Sequence, residues 1–237
     1  MSMTQPAAAL AASIALLGAI SAPPAHAEGP GQGQTAKFEV EFMRMAIDHH
    51  FAALRITELA AGTDMQRNAE IGAAEGTSPT PGYAATPAKA TLDDLKSMAR
   101  RNNRMQREEI LKMQGFLRDW YGLQYQPRLR ADSAVQIDIL ERAQPGADFN
   151  HAFYEVFARH HYTLMEPVNA CMTGTDLRHD ELRDECRGMW HSQIADIHMM
   201  RMELKKHFGI ADYQPFRNLE PLKSNGGLPR GDHSGGH

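Results

Sequence analysis

Phe38, Phe42, His49 and His50 recur as Phe149, Phe153, His160 and His161, each pair 111 positions apart. A second set, Leu95, Gln106, Ile110, Met113 and Leu117, recurs as Leu182, Gln193, Ile197, Met200 and Leu204, each 87 apart. A chain repeating in this way is built from two copies of one supersecondary unit, each needing the other to cover its apolar face. The fall in offset places an insertion in the first copy. Gly62 to Ala90, with Gly72, Gly76, Pro79, Pro81, Gly82 and Pro87, has the composition of a loop.

Within each copy the apolar residues step by three and four. Phe38, Phe42, Met45, His49 and Ala52 form one helical stripe, as do Leu95, Met98, Asn102, Met105 and Glu109 on the next segment. No stretch alternates with period two. The spacing therefore predicts an all-α chain with helices over 37–61, 91–121, 148–173 and 177–208. These make two antiparallel hairpins, 37–121 and 148–209, packed as a four-helix bundle. The connector 122–147 carries a short helix near 131–143. Gly174 suits a helix C-cap, and Thr175 or Asp176 suits the next N-cap. Pro167 removes a hydrogen bond to Thr163 and is expected to kink the third helix. The residues from 210 to the end, rich in Gly and Pro, read as a flexible tail.

Ala8 to Ile20 is a short apolar run that leads to Ala25-His26-Ala27, the pattern of a secretory signal peptide over residues 1–27. Export to the periplasm or beyond is the expectation, and no later run is long enough to span a membrane. Two cysteines, Cys171 and Cys186, then read as one disulfide or as two buried thiols. A net charge of −4 with scattered Lys and Arg argues against nucleic-acid binding.

The chain holds 14 methionines and 12 histidines, and the two types share helices. Adjacent helical residues point about 100° apart, so in each His-His pair one ring faces the core and the other a neighbouring helix. Met45 lies four residues before His49 and Met43 seven before His50, while Met165 follows His161 by four. His191, His198 and Met202 share one stripe of the last helix. Imidazole nitrogen with thioether sulfur suits copper, Cu(I) or Cu(II), and zinc is the weaker match because methionine adds nothing to its binding. Met98 and Met105 sit at core spacing and read as packing residues. Imidazole must be neutral to bind metal, so affinity is expected to fall below about pH 6.

Register separates the two histidines of the last helix. A hairpin centred near 176 brings His191 level with His160 and His161. A disulfide between Cys171 and Cys186 moves the centre to 178.5 and makes His198 the better partner.

Phe42-Met43-Arg44-Met45-Ala46-Ile47-Asp48-His49-His50 resembles the FMxxMIxHH signature of an exported domain-of-unknown-function family, number 305, of ferritin-like four-helix copper-binding proteins of the CopM type. Gln106 to Met113 and Phe116-Leu117 resemble a second family segment, and the likeness extends over Phe38 to Gly209. The resemblance implies copper tolerance rather than catalysis, with ligands at His49, His50, Met43, Met113, His160, His161 and Met200. Ala46, Ile56, Tyr154 and Phe157 stand where that pattern has methionines. The departure weakens a methionine-rich store and weights the expected sites toward the second half.

Rival readings lack their motifs. A di-iron bundle needs Glu-x-x-His pairs and a c-type haem needs Cys-x-x-Cys-His, and both are missing from the sequence. The serious alternative is an exported helical bundle that binds a protein partner through its Pro/Gly insertion, its histidines serving only to pack. On the metal reading the partners are the ion and a protein that gives or takes copper.

Overall fold

A computed structural model describes residues 33–63, 79–174 and 177–216. It contains five helices among the described residues: α1 (Gly33–Ala61), α2 (Asp93–Tyr121), α3 (Ala131–Arg142), α4 (Ala147–Thr173) and α5 (Asp180–Phe208). α1 pairs with α2 and α4 with α5 as antiparallel hairpins; α1 packs on α4, and α3 lies across both. No described helix is long and apolar enough to cross a membrane. The expected signal peptide, most of the Gly62 to Ala90 insertion and the tail beyond 216 lie outside the described residues, as do Thr175 and Asp176.

Helix ends follow the local sequence. Acidic pairs, Asp93-Asp94 and Asp180-Glu181, occupy the first turns of α2 and α5, where the helix dipole favours negative charge. Gly122 and Gly209 close the same two helices in the left-handed conformation (φ 64° and 70°), their N–H groups satisfying final-turn carbonyls. α4 continues as helix through Pro167 and is capped by the Gly174 N–H on the Ala170 carbonyl. α5 starts at Asp180, three residues later than the spacing suggests, because residues 177–179 are held by α1: the buried Glu39 carboxylate accepts from the Arg178 and His179 N–H groups and from the His179 ring.

The described end of the insertion returns along the last turn of α1. The Lys89 and Ala90 N–H groups bond the Leu59 and Ala60 carbonyls. Gly62 (φ 78°) permits this turn, since a Cβ there would lie 2.8 Å from the Ala88 nitrogen. Beneath it, Thr80 donates to the buried Glu58, which pairs with Arg107 at 3.5 Å and Arg55 at 3.8 Å.

Apolar side chains form two clusters at opposite ends of the bundle. One contains Ile56, Leu59, Leu95, Phe149, Phe153, Phe157 and Leu204; the other contains Phe42, Ile47, Ile110, Leu117, Leu164 and Leu182. Between them runs a buried polar layer: Asp48, His49 and His50 on α1, Asn102, Asn103 and Gln106 on α2, His160 and His161 on α4, and Gln193 and Asp196 on α5. A bundle gains nothing in stability from polar groups at mid-height unless they are paired.

The disulfide joins Cys171 to Cys186, with Cα atoms 6.2 Å apart. It fixes the register that the later hairpin centre implies, because His161 then falls level with Asp196.

Candidate metal centre

All four histidines of the repeat are buried, at 7% exposure or less. The pairs meet where α1 crosses α4, and the His49 and His160 rings stack with centroids 3.7 Å apart and planes 21° apart. His49 and His160 face α3, whereas His50 and His161 reach toward α2 and α5.

Each outer ring has one nitrogen held and one without a partner. His49 Nε2–H donates to the His160 carbonyl at 2.9 Å, which leaves its buried Nδ1 unpaired. His160 Nδ1–H donates to Gln136 Oε1 of α3 at 2.7 Å, which leaves its buried Nε2 unpaired. An oxygen acceptor on one imidazole nitrogen fixes the tautomer and readies the other as a ligand, as second-shell partners do at metal sites. Both rings line a cavity of about 230 Å³ with Met45, Arg130, Asp132, Ser133, Gln136, Thr163 and Pro167.

Burial lowers the His49 pKa to about 4 and holds His50 and His160 well below the usual imidazole value, with the neighbouring histidines adding to the effect. Neutral imidazole therefore persists further into acid than the pH 6 expected from free histidine.

The inner rings meet carboxylates. His161 Nε2 lies 3.4 Å from Asp196 Oδ2, and Arg101 pairs with the same carboxylate at 3.2 Å. Burial works against ionisation of Asp196, yet the His161 bond and Arg101 leave its pKa below the usual value. His50 Nε2 lies 3.1 Å from Glu109 Oε2 and 3.4 Å from Met189 Sδ. Burial raises the Glu109 pKa to about 8, helped by Glu185 and Glu108.

The other expected ligands are dispersed. Met45 lines the cavity with His49 and His160. Met43, Met113 and Met200 are fully buried within the two apolar clusters. His191, His198 and Met202 are exposed on α5, so they do not converge on His160 and His161. The reason is helical phase: the buried stripe of α5 runs through Leu182, Cys186, Met189, Gln193, Asp196 and Met200, and two residues from Met189 to His191 turn about 200° to the opposite side. Met165 and His198 instead line an outer groove with Trp190, Ile194 and Phe216. Among the described residues no three His, Cys, Asp or Glu side chains are grouped to hold a metal ion.

Glu109, Asp196, Gln136 and Met189 were missed as site residues from the sequence. The repeat contained the signal for two of them, since Glu109 and Asp196 are themselves 87 apart. Gln136 lies on the unrepeated connector, where nothing marks it.

A solved structure described as CopM in the Cu(I)-bound form is similar in fold, with a TM-score of 0.52 and 19% identity, covering 75% of this chain and all of that one. No family model matches the chain. No curated protein matches it either. The comparison supports the helical architecture, and the chemistry rests on the residues themselves.

Proposed function

We propose that this is an exported copper-binding protein that sequesters or carries the ion, receives it from or passes it to a protein partner, and performs no catalysis. The observation that carries this reading is that His49 and His160, each keeping one buried ring nitrogen without a partner (Nδ1 and Nε2), line one cavity together with Met45. A buried nitrogen without a partner costs about 1–3 kcal/mol, a cost that a bound ion relieves. Two imidazoles and a thioether form a low-coordinate donor set that suits Cu(I) and leaves the imidazoles able to accept Cu(II). The stacked rings do not aim their lone pairs at one point, so holding a shared ion requires one ring to turn. The cavity supplies the room. The Cu(I)-bound state of the similar CopM structure agrees with this choice of ion.

Equilibrium dialysis of the full chain against Cu(I) and Cu(II) tests the proposal, with His233→Ala and His237→Ala in every sample to remove tail binding. Stoichiometric uptake that falls on adding His49→Ala and His160→Ala is expected. Uptake equal to that of the altered chain would leave the competing reading, an exported interaction module without metal.

A further inference from the structure

The repeat relates the surroundings of His50 to those of His161, and the places where this symmetry fails are informative. Glu109 corresponds to Asp196, and Gln106 to Gln193. Asp196 has a cation beside it in Arg101. The position equivalent to Arg101 in the second copy is Gly188, so Glu109 receives no matching guanidinium. Lys112 acts on Glu109 through its charge, but its ion pair is with Glu185. Among the described residues, no Arg or Lys pairs with Glu109, whose side chain is only 15% exposed. The second difference is Met189, which replaces the equivalent of Asn102 and sets a thioether 3.4 Å from His50 Nε2.

The largely shielded Glu109 carboxylate and the Met189 thioether thus both lie against one imidazole nitrogen, His50 Nε2. Donors bound to one tetrahedral ion at about 2.0–2.3 Å are about 3.3–3.8 Å apart. The observed separations from His50 Nε2, 3.1 Å to Glu109 Oε2 and 3.4 Å to Met189 Sδ, are close to this spacing. In the same layer Gln106 acts on the His50 ring, yet neither Gln106 Oε1 nor His50 Nδ1, both buried, has a partner in good hydrogen-bond geometry. One carboxylate balances a single positive charge, whereas a divalent ion leaves net charge in a low-dielectric interior.

We infer that His50, Glu109 and Met189 form a second seat for a soft monovalent metal ion, separate from the His49–His160 cavity. The inference depends on the copper proposal only for the natural identity of that ion. Its cationic counterpart in the other half of the repeat is the guanidinium of Arg101.

The test uses Ag(I), a soft monovalent ion of fixed oxidation state, and the full chain with His233→Ala and His237→Ala. With His49→Ala and His160→Ala added, one equivalent should remain bound, and X-ray absorption should show sulfur in its shell. Met189→Leu in that background should weaken retention by at least about tenfold and remove the sulfur signal. Gly188→Arg should displace the ion without altering a donor, because an added Cβ at Gly188 meets nothing within 4 Å. Far-ultraviolet circular dichroism checks that each chain is folded, and Glu109→Gln offers a near-isosteric substitute should Met189→Leu fold poorly. Loss of all binding on removing His49 and His160 would overturn the inference, as would retention indifferent to Met189, Glu109 and Gly188. Uptake undiminished by removing His49 and His160 would sink the cavity proposal and leave this seat standing.

Discussion

Replacing His160 with leucine separates a histidine kept for packing from one kept for a ligand. In the metal-free protein the change removes the bond to Gln136, worth about 1 kcal/mol net, and the ring stack with His49, worth about 1 kcal/mol. It also removes a buried unpaired nitrogen that costs about 1–3 kcal/mol. Gln136 faces the cavity, where water can satisfy its freed oxygen. These terms nearly cancel, so metal-free stability should stay within about 1 kcal/mol of the parent. Binding contributes differently: a ligand at one hundred times its dissociation constant stabilises the folded chain by about 2.7 kcal/mol. Urea unfolding with and without Cu(I), held reduced, should therefore show that increment in the parent and lose most of it in His160→Leu. A metal-free loss above about 3 kcal/mol, with the copper increment intact, would identify His160 as an ordinary core residue and refute the reasoning.

Gln136→Leu should leave the fold intact but lower copper affinity about 10–100-fold, read by competition with a chromophoric chelator, because His160 loses the acceptor that fixes its tautomer. Substituting serine for Cys171 and Cys186 opens a link between residues 15 apart and should cost about 3 kcal/mol in urea unfolding; a loss below about 1 kcal/mol would argue against it. Glu58 is held at a pKa of about 7, above the ordinary carboxyl value, by burial that outweighs Thr80, Arg107 and Arg55. Its folded form therefore favours the proton, so its contribution is complete below the unfolded pKa near 4.5 and is lost as pH rises through about 7. Glu58→Gln should remove this slope, at most about 3 kcal/mol across the window, and equal slopes in the two proteins would contradict the assignment.

The fold was legible because each of the four long helices has a counterpart in the other copy. The repeat supplied paired apolar stripes, and the cysteine pair supplied the register of the second hairpin, which α4 and α5 adopt. The candidate site was legible only at its centre. His49, His50, His160 and His161 meet as their shared repeat positions suggest. The α5 residues were misplaced because His191, Ile194, His198 and Met202 imitate an inward stripe, whereas the buried stripe carries Gln193 and Asp196 at its middle. Hydrophobic periodicity points the wrong way at that height because the interior there is polar. Gln136 could not be found by any periodicity, since its role comes from where α3 comes to rest across α1 and α4.

Cys186 lies ten residues before Asp196 on α5, about 15 Å along the helix axis. Such a covalent pin forbids a slip of one turn between α4 and α5, the smallest shift that would keep apolar faces together while drawing Asp196 away from His161. A disulfide forms and persists only under oxidising conditions. Where such conditions hold, the alignment of the central layer is secured covalently as well as by packing.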